Sequence, residues 1–167
     1  ACRNEPYDQD GAFAKSGKVS NALLDRLLSD PFFAQKGPKS TGKDYFNLSW
    51  LKKSLSSLSL SNADIQATLL ELTTVSIANA IKPYYSQAEV LVCGGGCHNS
   101  ALMQALSKAL GDHYSLTTTE TYGLHPDWVE AACFAWYAKM RMCHQAVDLT
   151  TITGAIKPAI LGGVYAP

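Results

Sequence analysis

The chain has 167 residues, enough to bury about 68–70% of the surface that its unfolded form exposes, so a sizeable core is within reach. Lys plus Arg number 14 and Asp plus Glu 14, giving zero formal net charge, and no field of one sign recommends the protein to nucleic acid or to an anionic membrane. No apolar run approaches the roughly 20 residues of a membrane-spanning helix and no basic-then-apolar signal opens the chain, so a soluble cytoplasmic protein is expected.

Residues Ala1 to Lys18, with Pro6, Gly11 and Gly17, read as an irregular lead-in with at most one helical turn at Ala12 to Lys15. The chain opens on Ala1 in a polar stretch, and an N-terminal portion is expected to precede it. A helix then starts at the N-cap Ser20, carries an apolar stripe of Leu23, Leu24, Leu27 and Leu28, and ends at Pro31. Gly37-Pro38-Lys39-Ser40-Thr41-Gly42-Lys43-Asp44 nearly spells a nucleoside triphosphatase phosphate loop. It fails because Asp44 stands where a magnesium-binding hydroxyl belongs and no buried strand precedes Gly37. It reads instead as an exposed polar loop whose Lys39, Ser40 and Thr41 are available to line a cleft.

A helix from Leu48 to Leu55 leads through the serine-rich connector Ser56 to Ser61 into a long, largely covered helix, Asn62 to Ile81, stopped by Pro83. Val90 to Cys93 is apolar enough for a strand buried on both faces. Gly94, Gly95 and Gly96 end it, and a helix follows with Ala101, Leu102, Ala105, Leu106, Ala109 and Leu110 on one face and Gly111 at its end. Tyr114 to Thr119 supplies a second strand. The result is a strand–helix–strand unit with the glycines at the carboxyl end of its first strand, where such units bind ligands. Three residues without Cβ let main-chain N–H groups approach a phosphate or ribose, and the next helix points its positive end there. A tight turn without any ligand fits the same letters.

Pro126, Asp127 and Glu130 resemble the opening of a capped helix that runs to about Cys143 and is mostly buried through Trp128, Val129, Ala131, Ala132, Ala135 and Trp136. The tail, Thr150 to Ala155 and Ala159 to Tyr165, reads as a loop and a short strand or turn returning to the core. Core packing is the expectation for Trp50, Trp128 and Trp136, and Tyr84-Tyr85 follows a helix-ending proline.

Five cysteines, mostly inside apolar segments such as Cys93, Cys133 and Cys143, read as reduced core thiols. Cys93, Cys97 and His98, with Cys133, Cys143 and His144, were they zinc ligands, would lack the paired two-residue spacing of common zinc knuckles, so no metal ligand is assigned. Cys97 at a helix N-terminus would have a lowered pKa, but no third group completes a nucleophile–base motif. His113 and His125 lie near element ends and read as surface or capping residues.

Taken together, Gly94-Gly95-Gly96 with His98-Asn99, Gly123, Pro126-Asp127-Trp128-Val129-Glu130-Ala131, Phe134-Ala135-Trp136, Thr153-Gly154-Ala155 and Leu161-Gly162-Gly163-Val164-Tyr165 resemble the C-terminal portion of the anhydro-N-acetylmuramic acid kinase family. Pro6-Tyr7-Asp8, Ser16-Gly17-Lys18 and Pro38-Lys39-Ser40-Thr41-Gly42 fit the same family, so the resemblance spans almost the whole chain. It implies an α/β protein of the actin-like, ribonuclease-H-like sugar-kinase fold, helix-rich with a small mixed sheet. The chain would form most of the C-terminal lobe, residues 1–86 being mainly helical and 87–167 the strand–glycine–helix–strand core.

The resemblance further implies conversion of 1,6-anhydro-N-acetylmuramic acid, ATP and water to N-acetylmuramic acid 6-phosphate and ADP in peptidoglycan recycling, with ATP and Mg2+ as cofactors. The family's Asp-Thr-Gly-Pro-Gly-Asn region with the catalytic aspartate, and its phosphate loop, have no match between Ala1 and Pro167, so the isolated chain is expected to be inactive. Carried over by position, Gly94, Gly95, Gly96 and Asn99 would form the nucleotide side of the cleft. Glu130 would face the sugar or orient the attacking water, with helix capping as its other role, and Asp127 would be a cap or dipole partner. Cys97 departs from the small residue expected there, and Lys43 from the commoner Arg. Exposed cleft surface on a lobe predicts association, for instance as a homodimer. From a different class, a nucleotide-sensing module without catalysis fits the same glycine turn, as does a metal-stabilised interaction domain.

Overall fold

The structure, a computed structural model, describes residues 6–165. Its helices are α1 (Ala12–Lys15), α2 (Asn21–Leu28), α3 (Pro31–Ala34), α4 (Leu48–Leu55), α5 (Asn62–Ile81), α6 (Ser100–Leu110), α7 (Val129–Met142) and α8 (Thr150–Thr153), and its strands are β1 (Ala88–Val92) and β2 (Tyr114–Thr118). Of the irregular lead-in, residues 1–5 lie outside the described residues, and so does Cys2.

Local chemistry sets the helix starts. Ser20, Asn47 and Ser61 each place a side-chain oxygen on a free amide of the first turn: Leu23 N–H to Ser20 Oγ at 3.3 Å, Ser49 and Trp50 N–H to Asn47 Oδ1 at 2.9 and 3.0 Å, and Asp64 N–H to Ser61 Oγ at 3.1 Å. Pro31 does not simply stop α2. It opens α3 at its first position, where a missing N–H costs nothing, with Asp30 as the cap.

Two apolar clusters flank α5. In the first, Leu23 and Leu27 of α2 are completely buried with Leu72, and Trp50, Leu51, Leu55, Ile65 and Leu69 close around them. Each buried leucine contributes about 1.5–3 kcal/mol relative to exposure. In the second, Ala78 meets Leu106 and Leu110 of α6, and Val90, Val92, Tyr114 and Leu116 cover them from the sheet. The most buried residues of α5 include the small ones Ala67, Thr68, Thr74 and Ala78. The Thr68 hydroxyl donates to Asp64 O at 2.7 Å and accepts from Ser20 N–H at 3.0 Å, so it is satisfied while buried.

Asp30 organises the outer edge of the first cluster. Its carboxylate accepts from Phe32 N–H at 2.9 Å, Tyr45 OH at 2.8 Å and Trp50 Nε1–H at 2.8 Å. Burial pushes its pKa up, but these three hydrogen bonds outweigh that and hold it below the ordinary carboxylate range. Phe46 packs edge-on against Phe32 and Trp50, with centroids 5.2 and 4.8 Å away.

Strands β1 and β2 pair in parallel, Ala88 opposite Tyr114 through Val92 opposite Thr118, and α6 connects them. This is the strand–helix–strand unit the sequence predicts. The mixed character does not appear: among the described residues the sheet has two parallel strands, and the antiparallel Val147–Ala159 bridge lies outside it. Nor is β1 buried on both faces. Its burial alternates, with Glu89 and Leu91 outward, because helices cover one face alone.

The second half departs further from expectation. No residue of α7 is buried, and Trp128, Phe134 and Trp136 are 65%, 64% and 47% exposed. Cys93, Cys133 and Cys143 are exposed rather than in a core, and Cys97 is half-buried. Thr150–Thr153 is helical instead of a loop, and the tail makes one bridge through buried Val147 without rejoining either cluster. For α7 and the cysteines, apolar content predicts burial, whereas burial depends on a neighbour that local sequence does not specify.

Candidate functional site

The glycine turn continues directly from β1. Gly94 takes φ +75°, which favours a residue without Cβ, and its N–H donates to Pro126 O at 3.0 Å. Residues Gly95–His98 form a 3-10 turn, pinned by Cys97 N–H to Gly94 O and Asn99 N–H to Gly96 O, both at 3.1 Å. A Cβ added at Gly94 or Gly95 would meet nothing within 4 Å, and one at Gly96 would touch only Leu102 Cδ2 at 3.4 Å. The outer surface of the turn is therefore open, and the amides of Gly95 and Gly96 donate to no described residue outside their own turn.

Asn99 acts locally, its Oδ1 accepting from Leu102 N–H at 3.0 Å as the N-cap of α6. The same oxygen explains Gly11, a position whose role nothing local announces. At φ +64° a Cβ there would lie 2.6 Å from Asn99 Oδ1 and 2.4 Å from Ala101 Cβ, so the lead-in packs against the start of α6 only as glycine. Lys15 Nζ donates to Ser100 Oγ at 3.1 Å across the same contact.

Opposite the turn lies the 3-10 segment Pro126–Trp128, which precedes α7. Beyond the Gly94–Pro126 bond, it is joined by His98 Nε2 and Asp127 Oδ1 at 2.8 Å. Asp127 is thus a partner of His98; it does not cap the segment, but it stands in its first turn, where a dipole partner is expected. His125 takes the capping position, its Nδ1 accepting from Asp127 N–H at 3.3 Å, as expected of a histidine near an element end. Glu130 stands exposed in the first turn of α7, and the cap residue Trp128 makes no side-chain cap bond, so the Asp127–Glu130 capping box does not form. The Cys97 thiol is pushed above its ordinary pKa by burial and then by the Asp127 carboxylate, which reverses the lowering expected of a helix N-terminus.

The other candidates fall apart in space or remain exposed. Residues 37–44 are exposed and no strand precedes them among the described residues, and Lys39 Nζ is occupied by Phe32 O at 2.9 Å and by the Phe32 ring. Thr41 and Lys43 do line a groove of about 710 Å³ with Phe33, Phe46 and Trp50. A second cavity of about 460 Å³ runs between α7 and the tail, lined by Phe134, Tyr137, Arg141, Leu161 and Val164. Neither includes a residue of the glycine turn.

An open strand–glycine–helix turn in a parallel β–α–β unit marks an α/β protein. Comparison with known proteins makes the class specific: the sequence model for anhydro-N-acetylmuramic acid kinase matches residues 1–167, and the chain belongs to that family. It is 49% identical over 164 residues to the anhydro-N-acetylmuramic acid kinase of Pseudomonas syringae pv. syringae (strain B728a), covering 97% of this chain and 45% of that protein. With the enzyme of the same name from Coxiella burnetii (strain Dugway 5J108-111) it shares 47% identity over 163 residues, covering 97% of this chain and 44% of that protein. The chain thus spans a little under half the length of the curated relatives it matches. A kinase family implies ATP and typically a metal ion. Among the described residues no set of oxygen donors suited to magnesium gathers beside the open turn. No helix among the described residues is long and apolar enough to cross a membrane.

Proposed function

We propose that this chain supplies the nucleotide-side wall of an anhydro-N-acetylmuramic acid kinase, within the C-terminal lobe of an actin-like fold. The reaction is the conversion of 1,6-anhydro-N-acetylmuramic acid, ATP and water to N-acetylmuramic acid 6-phosphate and ADP. The observation that carries the reading is the uncovered turn at Gly94, Gly95 and Gly96, open at the carboxyl end of a parallel strand and followed by the eleven-residue helix α6. Its free amides and the positive end of that helix would hold the phosphates or ribose, while Asn99 keeps the helix start in place. Glu130, exposed and without a capping bond, would accept a hydrogen bond from a sugar hydroxyl or hold the attacking water. Phosphoryl transfer depends mainly on such positioning, and the wall built here would contribute by orientation.

The test is ADP binding by calorimetry on the chain and on its Gly95→Val variant. Because a Cβ at Gly95 meets nothing within 4 Å, the variant should fold and melt as before, yet its isopropyl group would cover the turn. ADP binding is expected to fall below detection; unchanged binding would remove the turn from the nucleotide site. Phosphorylation of the anhydro-sugar, assayed in a protein of the relatives' full length carrying these residues, separates a kinase from a nucleotide sensor of the same fold.

A further inference from the structure

Beside the glycine turn, three side chains of metal-binding type converge from two segments far apart in sequence. Cys97 Sγ, a ring nitrogen of His98 and a carboxylate oxygen of Asp127 all lie within 4.8 Å of one another. Ligands on a tetrahedral zinc ion, bonded at about 2.0–2.3 Å, sit roughly 3.3–3.8 Å apart, so the three atoms are within about 1 Å of a ligand set. The side chains of His98 and Asp127 are 57% and 46% exposed and free to make that adjustment. Backbone hydrogen bonds hold the two segments together. Gly94 N–H to Pro126 O joins the two segments, Cys97 N–H to Gly94 O fixes the turn, and Asp127 N–H to His125 Nδ1 fixes the other bank.

From this convergence we infer that Cys97, His98 and Asp127 form a site for a single borderline-soft divalent cation of the zinc class, with a fourth position left open. The thiol and the imidazole select against magnesium and calcium, which take oxygen donors. Cys97 is the member that makes the site: with alanine at 97, one imidazole and one carboxylate would remain. The other described cysteines, Cys93, Cys133 and Cys143, are not in the cluster, so the zinc grouping considered from sequence spacing is replaced by one that brings together residues up to 30 positions apart in sequence, from Cys97 to Asp127. Binding exchanges the thiol proton for the metal: a sulfur–metal bond forms, the S–H bond breaks and one proton is released to solvent. The site is independent of the kinase reading, and the metal is tested alone, without nucleotide or sugar.

The experiment is a cobalt(II) titration of the reduced chain, followed in the near-ultraviolet and visible. One equivalent should produce a sulfur-to-cobalt charge-transfer band with d–d absorption of four-coordinate intensity, displaced by zinc. Cys97→Ala should abolish the charge-transfer band, whereas Cys93→Ala and Cys133→Ala should keep it. Asp127→Asn and His98→Ala should retain the band but weaken binding by at least about tenfold, as loss of metal-site partners does. A band that survives in folded Cys97→Ala, or no one-equivalent band in the wild type, overturns the site. So does affinity unchanged in both His98→Ala and Asp127→Asn, which marks binding at a thiol alone. Should Cys97→Ala fail to fold by circular dichroism, exposed His98 and Asp127 still decide the matter.

Discussion

Helices α5 and α7 are both rich in apolar residues, yet they end in opposite surroundings. Over Asn62–Ile81, α5 lies between two clusters and buries Ala67, Thr68, Leu72, Thr74 and Ala78. Over Val129–Met142, α7 buries nothing, and Phe134 and Trp136 stand in solvent. The difference lies in what surrounds them rather than in their letters. Helix α5 receives α2 on one side and α6 with the sheet on the other, whereas α7 follows β2 and belongs to neither cluster. Apolar periodicity thus specifies that a face is fit for burial, and the rest of the chain decides whether it is buried.

The contrast is best broken by truncating matched side chains. Leu27→Ala, at a completely buried position, should cost about 2–5 kcal/mol in urea unfolding. A loss under about 1 kcal/mol would show that the first cluster collapses around the gap and that the closed half is loosely packed. Asp30→Ala comes next, at about 0.5–1.5 kcal/mol, since it removes the acceptor of the half-buried Trp50 Nε1–H while the exposed Tyr45 hydroxyl can turn to water. Its acid behaviour carries a sign. The folded pKa is depressed, so the stabilisation is present above the unfolded carboxyl value of about 3.9 and is lost as pH falls through the lower folded value. Below about pH 4 the wild type should therefore lose stability more steeply than Asp30→Asn; parallel curves would show that the carboxylate does not contribute. The smallest effect belongs to Phe134→Ala, within about 0.5 kcal/mol as for other surface changes. A loss comparable to that of Leu27→Ala would mean that α7 is covered in solution and the contrast is false.

What is legible in the sequence is mostly what is local. The bounds of α4 and α5 follow from Asn47, Ser61 and Pro83, and the parallel unit from Gly94–Gly96 with Gly111 between two β-branched runs. Helix α3 escapes notice because Pro31 reads as a stop, although Asp30 before it marks a start. Nothing local marks Gly17 either, yet a Cβ there would lie 2.1 Å from Ala63 O, a close approach that only three-dimensional packing reveals. At the site, the open turn is readable from three glycines. The His98–Asp127 pair is not, since it joins residues 29 apart through a fold that neither residue encodes. The one available signal is that each stands beside a constrained position, the glycine turn and Pro126, and those two positions bond to each other.

Helix α5 also has a mechanical meaning. Its 20 residues extend about 30 Å, and a continuous ladder of backbone hydrogen bonds makes it a stiff rod. One end is clasped by the leucines beside the aromatic cup around Asp30, and the other supports the floor beneath β1, whose far end carries the glycine turn. A tilt at either extremity therefore displaces the opposite one as a lever does, and the groove at Phe46 and the glycine turn share a single beam.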